Sequence, residues 1–202
     1  MKILKDEKKA FELPPQGTVC ARLIHILDLG TQHTEFQGKA KDKRQLRLTW
    51  ELVDNPMSDG RNFVIGKTVS ASLYKSSLLE MIESMTGQNI EFESEGSFDM
   101  KQLLNLPCML SVIHTSKEGK TYANIGSVSP MPTIKGKKIE AEEAQNHLIN
   151  FGLDTYDQDT FDMIPKWVQA IIEKSPEYQE ATRKHGETGY VGPRHIDEDI
   201  PF

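Results

Sequence analysis

The chain has 202 residues and a formal net charge of −6, a length that suits one ordinary domain with an appendage or two small domains. Its two cysteines, Cys20 and Cys108, lie in apolar runs without a paired spacing, which argues against a disulfide framework or a zinc site. The first residues are alternately charged, and no stretch approaches about 18 uncharged apolar residues. We therefore expect a cytoplasmic protein that neither enters nor spans a membrane.

The negative charge is concentrated in the last third of the chain. Residues 1–130 contain sixteen Lys and Arg and sixteen Asp and Glu, whereas residues 131–202 contain eight and fourteen. An acidic C-terminal region is typical of solvated chain or of a tail that binds partners. Because the rest of the chain is neutral overall, any affinity for nucleic acid must come from a local basic patch.

Three strands are predicted before the first helix. Residues 18–29 are rich in Val, Ile and Leu, which favours a long strand. Residues 45–53 alternate between apolar and polar, which predicts a second strand with one buried face, containing Trp50, and one solvent-exposed face. Residues 63–74 are predicted to form a third strand.

A helix and two further strands follow in the prediction. Ser77 and Glu80 form a capping box, and apolar residues recur at helical spacing until Gly87, where the helix is expected to end. A short helix is predicted near residues 99–104. Residues 108–114 and 121–128 are predicted to be strands joined by a turn, with a glycine in the left-handed region.

The resulting order of elements is that of the OB-fold, a five-stranded Greek-key barrel with a helix between its third and fourth strands. We therefore predict a mainly β protein with an OB-fold domain over residues 16–132. A charged lead-in over residues 1–15 precedes it. Residues 133–184 are predicted to be a linker and a helical appendage, and residues 185–202 a flexible acidic tail.

Two short helices are predicted in the appendage. The first contains Pro165 in its first turn or at a kink. Its apolar residues lie on roughly one side, and these residues are Phe161, Ile164, Trp167, Val168, Ile171 and Ile172. Ser175 and Pro176 have the sequence of an N-cap followed by proline at the first helical position. We expect the apolar side to cover the barrel, and the alternative is that it pairs two subunits as a homodimer.

Motifs for catalysis or metal binding are not recognisable in the sequence. Gly66 and Lys67 lack the earlier glycine of a phosphate-binding loop, since Arg61 occupies that position. The histidines have no metal-ligand spacing, and the neighbouring carboxylates Asp157 and Asp159 lie in the acidic appendage. We therefore predict no enzyme, no cofactor and no metal ion.

Two groups of residues are typical of nucleic-acid binding. The first is a basic run between the first two strands, with further cations along the predicted barrel; its members are Lys39, Lys41, Lys43, Arg44, Arg47, Lys67, Lys117 and Lys120. The second is a set of aromatic rings on which bases can stack; its members are Phe36, Phe63, Tyr74 and Tyr122. A solvated turn is the alternative for the cations, and core packing is the alternative for the rings.

The chain ends in three acids followed by Ile-Pro-Phe, namely Asp197, Glu198, Asp199, Ile200, Pro201 and Phe202. This hexapeptide closely resembles the acidic tip of bacterial single-stranded DNA-binding proteins, with Glu198 replacing one Asp. Residues 12–132 resemble the OB-fold domains of phage-type single-strand binders in three stretches: Leu13-Pro14-Pro15-Gln16-Gly17, Asp28-Leu29-Gly30-Thr31-Gln32, and Tyr122-Ala123-Asn124-Ile125 leading to Ser129-Pro130.

The resemblance implies sequence-independent binding and protection of single-stranded DNA during DNA replication, recombination and repair, in a bacterial cell or a phage-infected host. It also implies that the tip recruits replication, recombination and repair proteins and can fold back onto the DNA groove. A small apolar pocket edged by Arg or Lys accommodates both the ring and the carboxylate of a C-terminal Phe202. The alternatives are an OB-fold interaction or accessory protein of a replication complex, and an RNA-binding OB protein.

Overall fold

The computed structural model describes residues 12–36, 39–74, 76–90 and 98–188. Within these ranges the long strands are β1 (Gly17–Phe36), β2 (Lys39–Pro56), β3 (Asn62–Ser70), β4 (Pro107–Lys117) and β5 (Lys120–Pro130). The short strands are β6 (Thr133–Ile134), β7 (Lys137–Lys138) and β8 (Ile149–Phe151). The helices are α1 (Ser77–Thr86), α2 (Gln158–Met163), α3 (Lys166–Ile172) and α4 (Pro176–Thr188), with 3-10 helices at Met100–Leu103 and Leu153–Thr155. No helix in the described ranges is long and apolar enough to cross a membrane.

The long strands form an antiparallel sheet in the order β3-β2-β1-β4-β5, and β8 pairs with β1. Strands β4 and β5 pair from Cys108↔Pro130 to Lys117↔Lys120, with a shift of register after Ser111 that leaves Gly126 without a partner on β4. Such a bulge bends its strand and increases the local twist. The prediction of a mainly β protein is confirmed.

The first unit of the chain has an apolar core between the sheet and α1. Trp50 is fully buried in this core, as its place in the alternating pattern predicts. Helix α1 buries Leu78, Met81, Ile82 and Met85 and packs against β5 and β3. Its N-cap is Ser76, whose hydroxyl accepts a hydrogen bond from the amide of Leu79, and not Ser77 as predicted. The helix ends at Gly87, as predicted, and this glycine is in the left-handed region.

The described chain divides into two compact units. One contains residues 12–27 and Leu46–Asn150, and the other contains Asp28–Gln45 with residues 151–188. The outer part of the β1–β2 hairpin therefore belongs to the same unit as the C-terminal helices. This division differs from the predicted boundary after residue 132, because residues 133–150 remain in the unit that contains most of the sheet.

Two charged side chains explain why the predicted linker belongs to the first unit. The guanidinium of Arg22 donates hydrogen bonds to the carbonyl oxygens of Ala141 (2.9 Å) and Glu142 (2.7 Å) and to the carboxylate of Glu143 (3.0 Å). The fully buried carboxylate of Glu51 accepts from the amide of Asn146 at 2.9 Å. Residues 141–146 are thus held by both side chains.

The expectation of one solvent-exposed face on β2 is wrong at Glu51, because residues 145 and 146 bind its carboxylate and it is buried. Glu51 and Thr49 belong to the polar positions of the alternating pattern, yet both are buried. Glu51 also accepts from Nδ2 of Asn62 at 2.7 Å and from the amide of Gln145 at 2.8 Å. Burial raises the pKa of Glu51, but these hydrogen bonds outweigh burial and hold the pKa below its ordinary value.

The second unit has its own apolar and aromatic core. The rings of Phe151, Tyr156, Phe161 and Tyr178 contact one another at centroid distances between 5.1 and 6.1 Å. Burial raises the pKa of Tyr156 to about 12, and the neighbouring phenol adds to the shift. The hydroxyl of Ser175 caps α4 by accepting from the amide of Tyr178, as predicted.

Three expectations for the appendage are corrected. The apolar stretch is broken into α2 and α3 at Pro165, and buried Gln169 satisfies the break by donating to the carbonyl oxygens of Phe161 and Ile164. Trp167 is 55% exposed although it was expected on the buried side. Helix α4 continues through the glycine at position 186 to Thr188, beyond residue 184, where the helical appendage was expected to end.

Candidate nucleic-acid interface

The first unit contains an open cleft between β2, β3 and the start of β5. Its volume is about 550 Å³, and the residues that shape it include Pro14, Arg47, Val64, Gly66, Lys120 and Tyr122. We call it the Arg47 cleft. Three of these residues, Arg47, Lys120 and Tyr122, are ones that the sequence predicts to contact nucleic acid, and the fold brings them together from distant positions in the chain.

The guanidinium of Arg47 lies against β3. Its Nη1 donates to the hydroxyl of Thr68 at 3.4 Å, and a Cβ added to Gly66 would stand 2.6 Å from Nη2. The glycine therefore leaves the space that the planar guanidinium occupies. Burial lowers the pKa of Arg47 below its ordinary value, and a partly desolvated cation of this kind favours an anion beside it.

Apolar and aromatic surface is also exposed at the Arg47 cleft. The side chain of Tyr122 is 47% exposed and that of Val64 is 44% exposed. Tyr122 follows the β4–β5 turn, in which Glu118 and Gly119 have φ angles of 53° and 74°. The prediction of a left-handed glycine in this turn is confirmed. The turn places the exposed Lys117 and Lys120 side by side at the end of the hairpin.

Leu13 and Pro14 contribute to the Arg47 cleft, and sequence reasoning did not assign them a role there. The carbonyl oxygen of Pro14 accepts from Nε2 of His114 at 2.8 Å. The carboxylate of Glu12 accepts from the amide of Ser58 at 3.1 Å. These contacts hold the segment in place, and the only sequence signal was its resemblance to phage-type single-strand binders.

The other predicted cations have different surroundings. Lys67 is half-buried on β3, next to Gly66. Lys41 and Lys43 are exposed on the part of β2 that belongs to the second unit. The side chains of Lys39 and Phe36 lie outside the described residues, and so does the predicted partner-binding tip.

Arg44 binds carboxylates of its own chain. Its Nη2 lies 2.5 Å from Oδ2 of buried Asp28 and 3.0 Å from Oδ2 of Asp154. The hydrogen bond to Asp28 raises the pKa of Arg44. Because both acids neutralise this guanidinium, it contributes little positive charge toward a phosphate, contrary to the role expected for it.

Two of the predicted rings are not brought to the Arg47 cleft. Phe63 is only 8% exposed and packs in the core of the first unit, so its side chain cannot offer a ring face to a base. Tyr74 is 79% exposed, but it precedes α1 and is not part of the cleft. Among the described rings of the predicted set, Tyr122 is therefore the one that lies beside predicted cations.

The described part of the chain contains no group of three or more His, Cys, Asp or Glu residues that could hold a metal ion. Asp157, considered above as one of two neighbouring carboxylates, caps α2 by accepting from the amide of Thr160 at 2.8 Å.

A scan against models of protein families finds no match, and the comparison with curated proteins finds none either.

Proposed function

We propose that this protein binds single-stranded DNA without strong sequence preference, protects it, and recruits replication, recombination and repair proteins through its C-terminal tip. The observation that carries the proposal is the Arg47 cleft, in which a guanidinium, an exposed lysine and an exposed tyrosine ring line one open cavity. Phosphates bind cations and bases stack on rings, so this combination suits a nucleotide chain.

The proposal includes an OB-fold for the sheet of the first unit. The order β3-β2-β1-β4-β5 and the position of α1 between β3 and β4 support it. Strands β3 and β5, which end this order, also run close to each other. In OB-folds the ligand binds on the second and third strands and the adjoining loops, and the Arg47 cleft has the corresponding location.

The chemistry of the cleft favours single strands over duplexes. Arg47 and Lys120 neutralise phosphates, and Tyr122 with Val64 offers apolar surface to a base. A base inside a duplex is already stacked on its neighbours, whereas an unpaired base is free to stack on Tyr122. Because every base has a π face, stacking of this kind discriminates weakly among sequences.

The recruiting role of the tip is supported by the sequence. The tip combines three acids, a proline and a terminal phenylalanine. The acids steer association with a basic partner surface, and the proline restricts the conformations that the tip loses on binding.

A titration tests the proposal directly. Fluorescent oligonucleotides of equal length, as single-stranded DNA, duplex DNA and single-stranded RNA, are titrated with the full chain at two salt concentrations. We expect the tightest binding to single-stranded DNA and weaker binding at higher salt. Equal or tighter binding to the duplex would contradict the proposal, tighter binding to RNA would support the RNA-binding alternative, and no binding to any of the three would leave a protein-interaction role.

A further inference from the structure

The outer part of the β1–β2 hairpin is attached to the C-terminal helices by a set of polar contacts inside the second unit. Buried Asp28 accepts hydrogen bonds from the amides of Gly30 (3.0 Å) and Leu153 (3.3 Å) and binds Arg44 across the hairpin. These contacts fix the start of the hairpin.

Helix α4 makes the next contacts along the hairpin. The carboxylate of Glu177 accepts from the amide of Thr31 at 2.9 Å and from its hydroxyl at 2.5 Å. Burial raises the pKa of Glu177, but the hydrogen bonds from Thr31 outweigh burial and hold the pKa below its ordinary value. The carboxylate is therefore ionised at neutral pH and accepts both hydrogen bonds from Thr31.

The approach of α4 to the hairpin depends on a glycine. Gly30 has a φ of 67°, and a Cβ at this position would collide with the Cβ of Ser175. Nε2 of Gln32 donates to the carbonyl oxygen of Ile171 at 3.1 Å. The stretch from residue 28 to residue 32, quoted above for its resemblance to phage-type single-strand binders, thus forms the attachment site of the helices.

Beyond this attachment the hairpin has contacts across its two strands. The hydroxyl of Thr34 donates to the carbonyl oxygen of Lys41 at 2.9 Å, and Nδ1 of His33 lies 2.8 Å from the carboxylate of Asp42. The side chains of Lys41 and Lys43 are exposed on this part of the hairpin.

The helices themselves repel DNA by their charge. Residues 151–188 contain eight Asp and Glu against four Lys and Arg. A contribution of these helices to DNA binding therefore has to come from holding the basic hairpin in place, because their net charge opposes the phosphates.

We propose that the C-terminal helices position the β1–β2 hairpin for DNA, with Glu177 as a positioning residue that acts through Lys41 and Lys43. This inference rests on the proposed function. A hairpin that is ordered before DNA arrives loses less conformational entropy when its lysines contact phosphates. Positioning thereby raises affinity without any contact between the helices and DNA.

Two alanine variants on one helix test the inference by the sign of their effects. Glu177→Ala and Glu180→Ala each remove one negative charge from α4. Glu180 pairs with Lys184, and among the described residues it has no hydrogen bond or ion pair to the hairpin. Charge alone predicts slightly tighter binding of single-stranded DNA for both variants. Positioning predicts about fivefold weaker binding for Glu177→Ala, which corresponds to about 1 kcal/mol, and unchanged or slightly tighter binding for Glu180→Ala.

Two further variants separate positioning from a general loss of structure. Thr31→Val removes the hydroxyl that donates to Glu177 without changing the charge, and it should weaken binding in the same direction. In a chain that also carries Lys41→Gln and Lys43→Gln, Glu177→Ala should cost no further affinity, because it acts through the two lysines.

Hydrogen–deuterium exchange of the free protein gives a readout that does not depend on DNA. We expect Glu177→Ala to speed exchange of amides between residues 40 and 44, and Glu180→Ala to leave it unchanged. Unchanged exchange in Glu177→Ala, or unchanged or tighter DNA binding by that variant, would overturn the inference while the proposed function stands. A wild-type chain that binds no single-stranded DNA would overturn both.

Discussion

The guanidinium of Arg47 and the backbone of Gly66 are so close that a Cβ at the glycine would stand 2.6 Å from Nη2. Gly66 is not in the left-handed region, so the backbone tolerates alanine there. The substitution therefore acts on the guanidinium, which must move away from β3.

Gly66→Ala is expected to weaken binding of single-stranded DNA by about 1 kcal/mol, because a displaced guanidinium loses its alignment with a phosphate. The melting temperature should change little. The measurement is a fluorescence anisotropy titration of the variant with an oligonucleotide. In an Arg47→Ala chain the same glycine substitution should have no further effect on affinity, and an equal loss in both backgrounds would show that Gly66 acts independently of Arg47.

Tyr122→Ala is expected to cost about 1 to 3 kcal/mol of binding free energy, the range measured for base–aromatic stacking in proteins that include bacterial single-strand binders. Tyr74→Ala is the matched control, because this ring is exposed but does not line the Arg47 cleft. Isothermal titration with an oligonucleotide measures both losses. Equal losses for the two variants would show that the cleft is not the stacking site.

Glu51 links stability to pH. Its pKa in the folded state lies below the ordinary value of 4.5, so its contribution to stability is complete above about pH 4.5 and is lost as the pH falls through the depressed value. Glu51→Gln should therefore lower the melting temperature at pH 7, because the amide of Gln cannot accept all four hydrogen bonds made by the carboxylate.

The difference in stability between wild type and Glu51→Gln should narrow as the pH falls from 5 toward 3. Thermal unfolding followed by circular dichroism at several pH values measures it. Glu143→Gln is a suitable control, since this carboxylate is largely exposed. A stability difference that does not depend on pH would show that Glu51 is not the group that titrates.

Deletion of residues 197–202 is expected to leave the melting temperature unchanged and to tighten DNA binding modestly at low salt. The deleted acids compete with phosphates for the basic residues of the chain, and this competition is screened as salt rises. Titrations at two salt concentrations measure the effect. Binding that weakens on deletion would contradict the competition.

The same deletion, and Phe202→Ala alone, should abolish capture of replication and repair proteins on beads coated with single-stranded DNA. The ring is the large apolar anchor of the tip. Identical captured proteins for the full and the shortened chain would reduce the tip to a solubility feature.

The period-two pattern of β2 was sufficient to predict its strand and the burial of Trp50, because the apolar face of such a strand packs against other apolar side chains, away from water. The same pattern could not predict that Glu51 is buried. That outcome depends on residues 145 and 146, about ninety positions later in the chain, which donate to its carboxylate. Long-range coverage of this kind has no local signal.

Charge and ring type identified Arg47 and Tyr122 as candidates, but could not separate them from Arg44 and Phe63. Arg44 differs because Asp28 and Asp154 neutralise it, and Phe63 differs because its strand turns the ring into the core. Both distinctions depend on tertiary contacts. The wall formed by Pro14 likewise depends on its hydrogen bond with His114, one hundred positions away.

Photocrosslinking tests the central claim, that single-stranded DNA occupies the Arg47 cleft, most directly. An oligonucleotide that carries 5-iodouracil is bound to the full chain, irradiated and digested, and the crosslinked peptide is identified by mass spectrometry. The proposal predicts that Tyr122 is the main crosslinked residue, since its ring is 47% exposed beside Arg47 and Lys120, and that Tyr122→Ala removes the crosslink. Crosslinks confined to Tyr74 or to the C-terminal helices, with the Arg47 cleft unmodified, would contradict it.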